Sequence, residues 1–221
     1  LYGNTDGTNN VAVGVQALLN NCTGYQNTAI GHAALQCNTT GLRNTGVGCG
    51  ALTLNTTGDC NVALGCQAGY SNQTGNSNVA IGSKALYSST VGDLLAVGSC
   101  AATANTTGVR NTAVGNKALQ SNVCNNDNTA LGICALNAST SNSNTAIGSR
   151  ALQFTSTGDG NNTAVGYAAL YCNTSNAYNT AVGSNALYQS TGIQNTAHGY
   201  QAAYGNVGGC CNTAVGAFSL L

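Results

Sequence analysis

The chain contains no proline, glutamate, methionine or tryptophan, and it carries little charge. Its 221 residues include five Asp and five Lys or Arg, which gives a formal net charge of zero. This balance excludes the basic surface that nucleic-acid-binding proteins present. The Asp residues fall in predicted turns and lack the paired-carboxylate pattern of glycoside hydrolases. We therefore expect no enzyme activity, no cofactor and no nucleic acid partner.

Two further absences concern the backbone and the membrane. Without proline, every backbone N–H group is available to a β ladder. No apolar run approaches the roughly 18 residues that a membrane-spanning helix needs. We expect no membrane insertion in this segment.

One short motif recurs along the whole chain: Asn-Thr-Ala-Val-Gly, two variable residues, then Ala-Leu. Successive motif glycines are 16 to 18 residues apart, and 17 is the commonest interval. A unit this short cannot enclose its own core, so it buries apolar surface only by stacking on its neighbours. The thirteen motif glycines are Gly14, Gly31, Gly48, Gly65, Gly82, Gly98, Gly115, Gly132, Gly148, Gly166, Gly183, Gly199 and Gly216.

Each repeat predicts one coil with two strands and two turns. Thr or Val, Ala, and Val or Ile alternate with a period of two, which is typical of a strand with β-branched residues on one face. The glycine lets the chain bend, and the Ala-Leu pair is expected to form the second strand. We therefore predict an all-β, parallel β-solenoid (β-roll) of about thirteen 17-residue coils. Residues 1–221 form a single continuous array, which we interpret as a segment of a longer fibrous protein.

Stacked coils place equivalent residues in columns. The asparagine four residues before the glycine, called here the motif asparagine, is expected to form an amide ladder between coils. The Val/Ile and Leu columns are expected to fill a thin core that the Thr column also faces. Alanine recurs two residues before and three residues after the glycine, in twelve of thirteen coils each, so another surface packs closely there. That surface is either the opposite wall of the roll or another subunit.

The motifs Asn27–Gly31, Asn61–Gly65 and Asn78–Gly82 resemble the head repeats of trimeric autotransporter adhesins. They are also similar to repeats of phage and large-virus tail-fibre proteins. The resemblance implies a left-handed parallel β-roll, assembly as a homotrimer, and binding to a host-surface glycan or protein. The repeat here is longer than an adhesin head repeat, and its cysteines are foreign to those heads.

These features predict a structural fibre shaft or adhesive head at an extracellular, cell-surface or virion-surface location. The chain is expected to associate with copies of itself, as a trimer or another homo-oligomer. One alternative is a self-assembling extracellular filament. A second alternative is an ice- or surface-binding solenoid, since a regular Thr column can match a lattice. This alternative is weaker, because the Thr column is interrupted at four positions and is expected to face the core. The four interruptions are Val11, Val62, Val79 and Leu95.

Eleven cysteines are the main reactive groups of the chain. Cys49 and Cys66 each follow a motif glycine in adjacent coils, and strands stack about 4.8 Å apart, which suits a disulfide. Cys22 and Cys37 lie in adjacent turns and form a second candidate pair. Free thiols are the alternative. With two histidines and no Cys-x-x-Cys pair, we expect no metal site.

Seven turns contain the glycosylation sequence Asn-x-Ser/Thr. It marks glycosylation candidates when the chain is secreted and the turn is exposed, although copying of the repeat also produces it. The candidates are Asn21, Asn38, Asn55, Asn72, Asn105, Asn137 and Asn173.

A column of aromatic residues is the last candidate site. Tyr171, Tyr188 and Tyr204 occupy equivalent positions in three successive coils. Such a strip is either a contact surface for glycans or a product of stacking alone.

Overall fold

A computed structural model describes residues 3–155, 160–173 and 177–220. The chain divides into two compact units, Leu1–Val109 and Arg110–Leu221, here called unit 1 and unit 2. Each is a parallel β-solenoid with coils of about 17 residues, and the described residues contain no helix. The predicted fold class is confirmed.

Unit 1 contains a six-stranded parallel sheet in which each strand comes from one motif. Neighbouring strands pair in strict register, so that Thr28 lies beside Thr45 and Ile30 beside Val47. Each pairing therefore sets identical motif positions side by side. The strands are β1 (Val11–Val13), β2 (Thr28–Ile30), β3 (Thr45–Val47), β4 (Val62–Leu64), β5 (Val79–Ile81) and β6 (Leu95–Val97).

Unit 2 repeats this arrangement with seven motif strands and adds a two-stranded parallel pair, β10 with β12. The register again aligns motif positions, with Thr163 between Thr145 and Thr180. The strands are β7 (Thr112–Val114), β8 (Thr129–Leu131), β9 (Thr145–Ile147), β10 (Phe154–Thr155), β11 (Thr163–Val165), β12 (Cys172–Asn173), β13 (Thr180–Val182), β14 (Thr196–His198) and β15 (Thr213–Val215).

The Ala-Leu segment lies in turns in every coil, so the predicted second strand is wrong. Leu35 and Leu52 have φ angles of 50° and 51°, and Ala33 and Lys84, two residues after their glycines, have 55° and 57°. A segment in which every second residue has a left-handed backbone conformation cannot form an extended strand. Backbone bonds still join the coils, since Leu35 N–H donates to the Ala51 carbonyl at 2.9 Å.

The strand face that meets the core is opposite to the one we predicted. The central alanine of each motif strand points inward, and Ala29 and Ala63 have no exposed surface. The residues on either side of it point outward, and Val13 and Leu131 are 57% and 47% exposed. Strand side chains alternate between the two faces, so turning the strand over places the whole aliphatic column on the outer face, where its members are half-buried or exposed.

The buried alanines pack against the opposite wall of their own coil stack. A Cβ atom placed on Gly46, at the alanine position of β3, would lie 3.4 Å from Leu35 Cγ. A Cβ on Gly69, at a leucine position, would lie 3.8 Å from Ala63 Cβ. The alanine strand and the leucine turn are therefore the two walls of a narrow core. The recurrence of alanine follows from this contact and needs no second subunit.

Candidate functional surfaces

The motif asparagine joins neighbouring coils as predicted, although not chiefly through bonds between side-chain amides. Asn44 Nδ2 donates to the Gly58 carbonyl at 2.7 Å, and Asn44 Oδ1 accepts the Asn61 backbone N–H at 2.9 Å. The ladder therefore runs mainly between side chain and backbone. Both polar atoms of a fully buried amide are satisfied, which burial requires.

A second asparagine ladder, which we did not predict, lies seven residues after the motif glycine. We call its members turn asparagines. Asn38 Nδ2 donates to Asn21 Oδ1 at 2.8 Å and to the carbonyl of Gly41 in its own turn at 3.0 Å. Asn55 repeats both bonds, at 2.8 Å to Asn38 and 3.0 Å to Gly58. The sequence signal was the fixed spacing of these asparagines from the glycine.

Burial corrects the glycosylation prediction for six of the seven sites. Their asparagines are turn asparagines with at most 2% exposure, namely Asn21, Asn38, Asn55, Asn72, Asn105 and Asn173. A glycan on Nδ2 is incompatible with this fold, because the atom lies inside the coil stack. The seventh, Asn137, is half-buried, and its Nδ2 donates to the Lys117 carbonyl at 3.0 Å. An eighth glycosylation sequence, Asn161-Asn162-Thr163, is not among the predicted candidates, and its Asn161 is exposed.

All eleven cysteines are free thiols. Gln67 N–H donates to the Cys49 carbonyl at 2.8 Å, which sets Cys49 beside Cys66 as predicted from their spacing. Both are exposed and line a surface cavity of about 320 Å³. Cys22 and Cys37 are offset by two positions along the coil, so they are not directly stacked. A disulfide at either pair remains a prediction for oxidising conditions.

The tyrosine column forms a parallel ring stack. Centroids of Tyr171 and Tyr188 are 4.9 Å apart, and those of Tyr188 and Tyr204 are 5.0 Å apart, with interplanar angles of 2° and 1°. Both faces of Tyr188 are therefore covered by other rings. Sugars bind aromatic side chains through a ring face, so the stack favours the structural explanation over a glycan-contact strip.

The outer sheet face of unit 1 is almost entirely aliphatic. It consists of the first and third residues of β1 to β6, and two of the twelve are threonines. None is charged, and Ile30 and Leu64 are 39% and 37% exposed. The ten aliphatic members are Val11, Val13, Ile30, Val47, Val62, Leu64, Val79, Ile81, Leu95 and Val97.

The outer sheet face of unit 2 combines a hydroxyl column with an aliphatic column. The first residue of every motif strand is threonine, and the third is aliphatic except at His198. The Thr column therefore faces away from the core, contrary to our expectation. The seven threonines are Thr112, Thr129, Thr145, Thr163, Thr180, Thr196 and Thr213.

Comparison with known proteins adds no identification. No protein family, curated protein or solved structure matches the chain. The resemblance to adhesin heads and tail fibres therefore rests on the motif itself.

Ionic chemistry is sparse in the described parts of the chain. One exposed ion pair joins Arg110 and Asp127, with Nε–Oδ1 and Nη2–Oδ2 distances of 2.6 and 2.8 Å. The hydrogen bond from Arg110 lowers the pKa of Asp127 below its ordinary value. No group of three or more described His, Cys or Asp residues is placed to hold a metal ion. The described residues contain no helix that is long and apolar enough to cross a membrane.

Proposed function

We propose that this chain is a structural fibre shaft or adhesive head of an extracellular or virion surface, and that its subunits associate through the outer face of unit 1. The observation that carries the proposal is the row of ten aliphatic side chains on that face. A large exposed apolar surface on a soluble protein usually marks an interaction site.

The chemistry of this face suits a second copy of the same chain. Its twelve residues carry no charge, so two copies meet without repulsion and without burying an unpaired ion. Each square ångström of apolar surface removed from water contributes about 25 cal/mol. Closed assemblies of identical chains are rotationally symmetric, and the resemblance to adhesin heads favours three copies.

The interior of each unit supports a mechanical role. Within each unit, backbone bonds and a narrow alanine–leucine core join successive coils, and the two asparagine ladders add bonds except where another residue replaces asparagine, as at Ser89 and Leu94. Nine leucines of the core column are at most 1% exposed, so this core is dry: Leu18, Leu35, Leu52, Leu86, Leu119, Leu136, Leu152, Leu170 and Leu187. A stack of this kind resists local opening, because a coil can leave only by breaking contacts with both neighbours.

Sedimentation equilibrium of the whole chain tests the proposal. We expect a defined oligomer for the wild type and a monomer for the double variant Ile30→Asp, Leu64→Asp, because burying two carboxylates at an apolar interface is costly. The matched control, Asn20→Asp with Ser83→Asp, adds the same charge at exposed positions that do not belong to the face. Circular dichroism verifies that each variant is folded.

The outcomes separate the alternatives. A monomeric wild type, or a double variant as oligomeric as its control, contradicts association through this face. A mass that grows without limit as concentration rises would replace the closed oligomer with the self-assembling filament.

A further inference from the structure

The outer face of unit 2 presents a straight row of hydroxyl groups. Its seven threonines stand side by side in consecutive parallel strands of the sheet. None of their Oγ1 atoms has a hydrogen-bond partner among the described residues, and Thr129, Thr180, Thr196 and Thr213 are exposed. The hydroxyls are therefore available to a ligand outside the chain.

The row is evenly spaced because the backbone holds every strand in the same way. Thr112, Thr129 and Thr145 each donate a backbone N–H to a motif asparagine carbonyl of the next coil at 2.8 Å. Thr163, Thr180 and Thr196 do the same at 2.8 to 2.9 Å. Parallel strands lie roughly 4.8 Å apart, so the hydroxyl-bearing residues repeat along the row with that period.

A second, aliphatic row runs beside the hydroxyls. It consists of the third residues of the same strands, and Leu131 and Ile147 are 47% and 38% exposed. The two rows and the threonine methyl groups make a surface that is half apolar and half hydrogen-bonding. No Asp, Lys or Arg lies on it, so it has little to attract a charged partner.

We propose that this face binds ice. The oxygen atoms of an ice surface form a neutral, rigid and periodic array of hydrogen-bond donors and acceptors, with a repeat close to the spacing of parallel strands. Regular hydroxyls can replace waters of that array, while methyl and aliphatic groups order the water between them. An ice surface continues the same array along the whole row, so all seven strands can contact it at once.

The same residues explain why unit 1 is not assigned this activity. The hydroxyl row is broken there by Val11, Val62, Val79 and Leu95. Only Thr28 and Thr45 remain as neighbours. The proposal does not rest on the self-association of unit 1, because the two faces consist of different residues and can be changed separately.

Ice-affinity partitioning of the fluorescently labelled whole chain tests the proposal. We expect the wild type to enter slowly growing polycrystalline ice, and thermal hysteresis to be measurable in the same sample. The double variant Thr129→Tyr, Thr180→Tyr places two bulky side chains on the face and should enter ice at least tenfold less. The control Thr140→Tyr, Thr191→Tyr alters exposed threonines in turns of the same unit and should behave as wild type.

A more conservative double variant covers the case in which the Tyr double variant misfolds. Thr129→Val with Thr180→Val keeps the side-chain shape and removes two hydroxyls, so we expect partial loss of ice entry with unchanged thermal unfolding. A wild type that ice excludes as it excludes an inert globular protein overturns the proposal, whether or not the face is covered by another copy. Equal ice entry by the Tyr double variant and its control overturns it as well.

Discussion

At the scale of single residues, asparagine determines how coils join. The motif asparagine bonds to backbone groups of the next coil, while the turn asparagine bonds to an equivalent amide and to its own turn. A side chain with both a donor and an acceptor can serve an upper and a lower neighbour at once. Aspartate or serine could not supply the same pair of bonds in a buried column.

Removing one amide from the turn ladder should destabilise unit 1. In Asn55→Ala, the buried Oδ1 of Asn38 loses its donor, and a cavity forms where the amide packed. We expect a loss of about 2 kcal/mol in the free energy of unfolding. Urea denaturation measures it, and Asn20→Ala, at an exposed position, should change little. Equal losses of unfolding free energy for the two substitutions would show that the ladder does not stabilise unit 1.

The tyrosine stack makes unit 2 sensitive to alkali. Burial raises the pKa of Tyr188 above its ordinary value of 10.0, and repulsion from the charges that Tyr171 and Tyr204 acquire when they ionise raises it further. The folded chain then holds this proton more tightly than the unfolded chain, so stability is complete below the unfolded pKa and declines as pH rises above it.

We therefore expect the wild type to lose stability relative to Tyr188→Phe as pH rises through and beyond 10.0. Urea unfolding midpoints on either side of that pH measure the difference. Tyr178→Phe is the control, because Tyr178 is 53% exposed and outside the stack. A midpoint difference between the wild type and Tyr188→Phe that does not change with pH would contradict the assignment.

At the scale of the coil, the motif glycine sets the distance between neighbours. Gly31 has a φ of 126°, and a Cβ atom there would lie 2.6 Å from the Gly48 carbonyl oxygen in the next coil. A side chain would need both a strained backbone and a wider gap between coils. This position explains why the glycine recurs in all thirteen motifs.

Gly31→Ala should accordingly destabilise unit 1 by on the order of 3 kcal/mol or more. Gly205→Ala is the contrasting substitution, because a Cβ at Gly205 meets no atom within 4 Å. Thermal unfolding of both variants gives the comparison. A Gly31→Ala protein as stable as Gly205→Ala would show that the coils separate easily at this point.

Coil length also follows from the turn. The intervals of 16 residues occur at three coils, and in each of them serine replaces the turn asparagine, at Ser89, Ser139 and Ser190. In the 17-residue coils, the asparagine amide reaches the carbonyl three residues later and closes a longer turn, as Asn72 does with Gly75 at 2.9 Å. Serine is too short for that bond, so the shorter turn and the smaller side chain occur together.

Much of the coil was predictable, because the period, the register and the motif strand follow from where residues recur. Which face of the strand points inward was not predictable, since Thr-Ala-Val alternates equally well with either face inward. The inward face is the alanine face because a core this narrow accepts alanine and excludes valine. The Ala-Leu turn was also unpredictable, because a left-handed leucine such as Leu52 is rare outside such a stack. The turn asparagines were expected to be exposed because they are polar and lie in turns, but they are buried.

At the scale of the whole molecule, stability depends little on charge. Ten charged residues are spread over 221 positions, and the described ion pair between Arg110 and Asp127 is exposed. Exposed pairs contribute little and are screened by salt. Backbone bonds, amide ladders and apolar burial therefore supply nearly all of the favourable terms.

Moderate concentrations of sodium chloride should thus leave the urea unfolding midpoint almost unchanged. Sodium sulfate should raise the midpoint, because it strengthens apolar burial by exclusion from the protein surface. A large response to sodium chloride at low ionic strength would indicate electrostatic contributions that the described residues do not explain.

The register of the motif strands, which sets each position beside its equivalent one coil away, bears on how such a gene can change. Duplicating or deleting one whole repeat, such as residues 44–60, creates a junction that already exists elsewhere in the chain. Unequal recombination can therefore lengthen or shorten the protein while equivalent motif positions still lie side by side. A substitution, in contrast, alters contacts with both neighbouring coils at once. Evolution can therefore change the number of repeats more freely than the residues within a repeat.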